Sequence, residues 1–214
     1  MIQKYKYDDS LPISVIIPHS QNRKYFFEEF VLPSIESNCP AEIIINDNEG
    51  LAPKKRMDGF KESTQEFIIY SDNDCVYPQS FLQKYYDCLI NNPEISFTYS
   101  GYKGIVLNPQ THPMRGNFEI PTIEYDSQRL RQGNYISTMT LIRREAFIDS
   151  GGFDLNLKRL QDWDLWLTMS EKGYKGKAVF NNEFFAFYLD EGITSNSNNE
   201  NEAYMAVARK HKLF

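Results

Sequence analysis

A chain of 214 residues, 41% hydrophobic and 14% aromatic, can bury a substantial core, which excludes a disordered polymer. Its 29 acidic and 23 basic residues leave a net charge of −6, which argues against a general nucleic-acid binder and against a polybasic membrane-binding surface. No apolar run approaches the ~18 residues of a transmembrane segment, and three cysteines (Cys39, Cys75, Cys88) without C-x-x-C spacing fit reduced thiols in a cytoplasm better than a disulfide frame.

In chain order, MIQKYKYDDS has no apolar signal region, so the mature protein is expected to start there. PISVIIP, closed by Pro18, reads as a buried strand. NRKYFFEEFVLPSIESN sets Phe26, Phe27, Phe30 and Val31 at helical spacing, with Pro33 as a kink or break. AEIIIND is a second strand, and LAPKKRMDGFKEST a helix with Ala52, Arg56 and Phe60 towards one side. EFIIYSDND is a third strand, PQSFLQKYYDCLINN a helix with Pro78 near its start, and EISFTYSGY a fourth strand.

Three alternations of strand and helix predict an α/β fold, its parallel sheet covered on both faces and its crossovers right-handed. Ligands of such sheets bind beyond the C-terminal ends of the strands. Three polar groups fall there: His19 to Arg23, Asn46 to Asn48, and Asp72 to Asp74.

Beyond Tyr102 the regularity fails. Residues 103–134 hold Gly104, Pro109, Pro113, Gly116, Pro121 and Gly133, which suggests loops and a hairpin shaping a second substrate pocket. YISTMTLIRREAF reads as a strand running into a short helix, and LQDWDLWLTMSEKG as an amphipathic helix ending at Gly173. GKAVF and EFFAFYL are short strands, TSNSNNENE is polar and expected to be mobile, and EAYMAVARKHK is a last helix. His19, His112 and His211 form no zinc-like cluster, and no G-x-G-x-x-G loop is present.

Asp72 and Asp74 are the first candidate for chemistry. Two carboxylates one residue apart repel unless a cation joins them. Hard oxygen donors suit Mg²⁺ or Mn²⁺, with substrate phosphates completing the shell. Taken alone, D-x-D is better explained by a turn, where Asp bonds its own backbone. The preceding strand and the two other polar strand ends favour the metal–diphosphate reading. In GGFDLNLKRLQDWDLW, Asp162 and Asp164 open a predicted helix, where acidic residues suit the helix dipole at about 0.3–1 kcal/mol each. Trp163, Trp166 and Leu167 read as core. Asp162, anionic and facing a cleft, is a candidate general base.

ISVIIPHSQNR, EIIINDNEG, APKKRMDGF, EFIIYSDND, NYISTMTLIRREAF and SGGFDLNLKRLQDWDLWL follow one another in the order seen in glycosyltransferase family 2, which the chain resembles from about Ile13 to Gly173. The resemblance implies a GT-A fold, a Rossmann-like, mixed but mainly parallel central sheet flanked by helices. It implies a single domain over 1–214, with a nucleotide-binding half (1–102) and an acceptor-binding, catalytic-base half (103–214). It further implies a metal-dependent, inverting transferase that uses a nucleotide-sugar donor, usually UDP-linked, and a glycan or other hydroxyl acceptor.

By the same resemblance, Pro18, Asn22 and Arg23 belong to the first nucleotide-contacting loop, Asp47 meets the base, and Arg56 approaches the nucleotide. Asp72 and Asp74 are the D-x-D pair, with Asn73 between them in the donor-contacting set and Asp74 the more direct ligand of Mn²⁺ or Mg²⁺. Asp162 is the base. The chain departs from the pattern at Asn46 and Asn48 beside Asp47, at Gln161 where Glu usually precedes the base, and at Cys75 after D-x-D. The late metal-binding His is also missing, and Asp190 or Glu191 is expected in its place.

A sugar nucleotidyltransferase would show a glycine-rich loop where PHSQNRK stands. A D-x-D phosphatase would carry its pair on the first strand. A nucleotide-sugar-binding domain without turnover remains the non-enzymatic alternative. The short chain is expected in the cytoplasm, with peripheral membrane attachment and homo-oligomerisation left open.

Overall fold

The computed structural model describes residues 1–8, 10–110, 116–180, 185–189 and 200–214. Strands β1 (Ile2–Lys6), β2 (Leu11–Pro18), β3 (Pro40–Asn46), β4 (Phe67–Tyr70), β6 (Phe97–Tyr99), β9 (Leu141–Arg143) and β10 (Gly176–Ala178) form one sheet in the order β1-β3-β2-β4-β9-β6-β10. A second sheet runs β5 (Cys75–Val76), β11 (Phe185–Leu189), β7 (Tyr102–Val106), β8 (Phe118–Ile120). The α-helices are α1 (Lys24–Phe26), α2 (Leu32–Glu36), α3 (Ala52–Glu62), α4 (Phe81–Ile90), α5 (Ser127–Gln132), α6 (Arg144–Asp149), α7 (Gln161–Glu171) and α8 (Glu200–Lys210).

The large sheet is mixed, as the resemblance implied. β2 lies parallel to both β3 and β4, whereas β9 opposes β4 and β6, and β1 opposes β3. The sheet sits centrally because its strands read apolar on both faces. Ile13, Val15 and Ile17 of β2 join Phe27, Phe81 and Tyr85 on one side, while Ile16 joins Phe147, Trp163 and Trp166 on the other. α3 lies close on β2: a Cβ at Gly59 would come within 2.6 Å of Ile16 Cγ2, so glycine is required there.

Two details differ from the sequence reading. Residues 2–6 form an antiparallel edge strand where no element was expected, and Lys4 Nζ reaches Glu42 Oε1 at 2.8 Å. Pro33 does not break its helix. The turn Phe27–Val31 is a π-helix leading into α2, with Pro33 near the start of α2, where its missing N–H costs little. The expected hairpin is β7–β8. Most of the polar stretch 194–202 lies outside the described residues.

Candidate active site

Because β2, β3 and β4 are neighbours, the loops leaving their C-terminal ends lie side by side. Pro18 stands opposite Asn46 in the β2–β3 register, and His19 N donates to Asn46 O at 2.9 Å. Asn46 is buried, with its amide donating to Lys55 O at 2.9 Å and its Oδ1 accepting from Asn48 N at 3.1 Å. A neutral residue therefore suits that position. Gln21 Nε2 donates to Asp47 Oδ2 at 2.9 Å, and the Met1 amino group lies 2.5 Å from Asp47 Oδ1. Burial pushes the His19 imidazole below its ordinary range, so its neutral ring can take the Asn73 amide at 3.3 Å. Asn73 also approaches Ser20 O at 3.4 Å, and Asn22 is exposed with its side chain against the Ser20 hydroxyl.

Each D-x-D carboxylate has an arginine. Arg56 Nη2 holds Asp72 Oδ1 at 2.6 Å, and Arg23 Nη1 pairs with Asp74 Oδ2. Burial, and then the neighbouring Asp72 charge, push Asp74 up to about 6 against the pull of Arg23. Arg56 is only 5% exposed. Its other terminal nitrogen donates to Gln161 Oε1 at 3.0 Å, and its guanidinium carbon lies 5.5 Å from the Phe153 ring centre. One buried cation thus ties the end of β4 to the start of α7. Gln161 supplies the acceptor oxygen that the usual Glu would offer, without its charge. Cys75 is fully buried in the core, so it faces away from this cleft.

Asp162 occupies the second position of α7. The residue before that helix, Leu160, has φ 59° and ψ 24°, a left-handed conformation costing a non-glycine residue about 1–2 kcal/mol. Asn134 Nδ2 donates to Asp162 Oδ2 at 2.9 Å. Asp162 lines a cavity of about 260 Å³ with Tyr102, Asn134, Tyr135, Ser137 and Phe187. Burial pushes the Asp162 carboxyl above its ordinary range, while the Trp163 backbone, the Arg56 charge and Asn134 pull the other way.

The structure therefore gathers Pro18, Arg23, Asp47, Arg56, Asp72, Asn73 and Asp74 at adjoining strand ends, and joins them to Asp162 through Arg56 and Gln161. Asn22 meets none of the carboxylates in this arrangement. Asp190 lies outside the described residues, as does Glu191. Sequence reasoning missed Asn134, Lys55 (whose Nζ reaches His19 O at 2.7 Å) and the indole N–H bonds of Trp163 and Trp166. A run such as QGNYIS carries no motif that would have singled out Asn134.

Among the described residues no three His, Cys, Asp or Glu side chains come together. Asp72 and Asp74 nevertheless fit Mg²⁺ or Mn²⁺. These ions take one or two carboxylates and fill their remaining positions with phosphate oxygens and water. Both side chains keep some exposure at the cleft, 32% and 15%.

The architecture is that of the GT-A glycosyltransferases. The family model of Glycosyl transferase family 2 matches residues 15–151, and the chain belongs to that family. An uncharacterized glycosyltransferase of Haemophilus influenzae is 26% identical over 152 residues, covering 68% of this chain and 49% of the relative. TarS 1-349 of S. aureus in complex with UDP-GlcNAc superposes with a TM-score of 0.69 at 17% identity, over 94% of this chain and 65% of that one. The same fragment in complex with UDP gives 0.63 at 17% identity, over 93% and 64%. The chain spans about half the length of the curated relative and just under two thirds of the TarS fragment.

Proposed function

We propose that this chain is a metal-dependent, inverting glycosyltransferase that moves a sugar from a nucleotide donor, UDP-linked in the first instance, to a hydroxyl of a glycan or similar acceptor. The observation that carries this reading is the Arg56 bridge. It joins an acidic strand end to the helix whose Asp162 carboxylate lines a cavity. A TarS structure holding UDP-GlcNAc on the same fold supports the donor class.

In this reading residues 1–102 hold the nucleotide. Gln21 and Asp47 take the base, while Pro18, Asn22 and Asn73 shape the loop over it. Asp72 and Asp74 would hold a divalent ion, which would supply positive charge against the diphosphate leaving group. Arg23 lies against Asp74 and turns to the phosphate oxygens once Asp74 is otherwise engaged. Arg56 stays buried, fixing Asp72 and the start of α7 relative to each other. Residues 103–214 receive the acceptor. Asp162 takes the proton from the acceptor hydroxyl as that oxygen attacks the anomeric carbon, and the C–O bond to the diphosphate breaks on the opposite face. One displacement inverts the configuration.

The test is UDP release from a panel of UDP-sugars with Mn²⁺. Asp162→Asn is expected to lower turnover by about 10²–10⁴-fold, roughly 3–5 kcal/mol of barrier, in a folded protein. Full turnover in that variant would remove Asp162 as the base. Calorimetry adds a second reading, because Mn²⁺ and UDP should bind cooperatively to the wild type but not to Asp74→Ala.

A further inference from the structure

We propose that Asn134 is the positioning residue of the base: it orients the Asp162 carboxylate, leaves one oxygen for the incoming hydroxyl, and keeps the group charged. This rests on the reading of Asp162 as the base. Asn134 is exposed and belongs to no regular element, yet its side chain has a defined orientation. Its Oδ1 accepts from Ile136 N at 3.1 Å, which fixes the amide so that Nδ2 faces Asp162 Oδ2 at 2.9 Å. An amide nitrogen can donate and cannot accept. It therefore bonds the carboxylate more strongly than the protonated acid, whose oxygen is the weaker acceptor.

The loop bearing Asn134 is fastened to the very helix that bears Asp162. Trp166 Nε1 donates to Ile136 O at 3.0 Å, and Trp163 Nε1 to Leu130 O at 2.7 Å. Tyr135 closes the other side, donating its hydroxyl to Asp126 O at 3.0 Å and accepting from Asp126 N at 2.8 Å. The two tryptophans of α7 thus do more than fill the core. They hold the carbonyls on either side of Asn134 at a set distance from α7, so donor and acceptor move as one body.

Other groups also face Asp162. Arg56 approaches from α3, Tyr102 from β7 and Tyr135 from the same loop, while the Trp163 backbone N–H comes from α7 itself. Asp164 is turned away to His211 and Lys210. Burial raises the carboxyl and Asn134 offsets part of that rise.

The experiment follows the carboxyl ¹³C shift of Asp162 against pH, the signal being assigned by its loss in Asp162→Asn. Asn134→Ala should raise the midpoint by about one pH unit, a single charge-assisted hydrogen bond being lost. Asn134→Asp should raise it further, since two adjoining carboxylates resist ionising together. That variant keeps the oxygen that accepts from Ile136 N but adds a charge whatever role Asn134 plays, so it checks the proximity of the two side chains, and Asn134→Ala decides the role. Either variant titrating like the wild type overturns the inference. The acid limb of the pH profile for UDP release from UDP-sugars should move in step. If the midpoints move but Asp162→Asn still turns over at the wild-type rate, the base assignment fails and the pairing stands.

Discussion

Glu42 and Asp74 lie towards opposite ends of the strands of one sheet, and the protein treats them in opposite ways. Glu42, near the start of β3, is fully buried and supplied with donors: Ser14 Oγ at 2.7 Å, Thr64 N at 2.8 Å, Thr64 Oγ1 at 2.6 Å and Lys4 Nζ at 2.8 Å. Burial alone would raise its carboxyl, but these bonds to Lys4, Thr64 and Ser14 bring it down to about 2. Asp74, beyond the end of β4, has Arg23 but also the like charge of Asp72, and it stands at about 6. Asp162 has Asn134 and a cavity, and it too is raised. One end satisfies its charge internally. The other pairs each carboxylate of D-x-D with an arginine yet leaves Asp74 raised by burial and by Asp72, which is where a ligand or a proton can bring free energy.

This contrast is open to measurement, and the largest expected effect is at Glu42. Glu42→Gln should destabilise the fold by about 3 kcal/mol at pH 7, the scale of its displaced pKa, or roughly 6–12 °C in Tm for a chain of this length. The sign follows from a depressed folded-state value. The contribution is full above the unfolded value near 4.5 and drains away as pH falls towards 2. Wild type and variant should therefore converge in acid. Equal melting points at pH 7 would make Glu42 no better satisfied than the carboxylates of the far end.

How much of this contrast the sequence displays depends on distance along the chain. The strands β2, β3 and β4 are legible because their buried, β-branched runs need no partner to be recognised, and their ends located three of the polar loops. The neutralising partners are not legible. Arg23 and Asp74 are 51 residues apart, and Arg56 and Gln161 are 105 apart. Nothing local couples them. β1 escaped because IQKYK alternates half-buried and exposed residues without a strongly apolar face. β5 escaped because Cys75–Val76 is two residues long and acquires strand geometry only by pairing with β11. Asn134 escaped because an Asn in a loop is commonplace, and only the fold places Asp162 beside it.

An intermediate effect is expected on α7, where Asp164 stands two residues from Asp162 yet belongs with Glu42 in kind. Its oxygens take Lys210 Nζ at 2.8 Å and His211 Nε2 at 2.9 Å, and His211 Nδ1 faces Glu171 Oε2 at 3.0 Å. Burial works against the charged imidazole, but Asp164 and Glu171 outweigh it and raise its pKa. His211→Gln should cost about 2 kcal/mol at pH 6, as for a buried hydrogen bond to a charged group. A raised histidine stabilises most below its unfolded value of 6.5, and the contribution fades as pH climbs through the higher folded value. The penalty of the variant should thus shrink in alkali, where Glu42→Gln keeps its own. A penalty independent of pH would mean that the imidazole is neutral in the fold.

The smallest effect, and the one of opposite sign, is expected at Asp74. In metal-free buffer at pH 8, Asp74→Asn should leave the fold as stable as the wild type or more stable by about 1 kcal/mol. A carboxyl at about 6 in the fold and 3.8 unfolded costs stability once pH has risen past both values, and costs nothing below the lower one. The full difference would exceed 1 kcal/mol, but Arg23 loses its partner in the variant and returns part of the gain. Melting curves in EDTA at pH 8 and pH 3 decide the matter: the variant's advantage should vanish at the lower pH. A clear loss at pH 8 would place Asp74 with Glu42, as an ion pair that holds the fold together, and this end of the sheet would then keep no destabilised carboxylate for a cation to relieve.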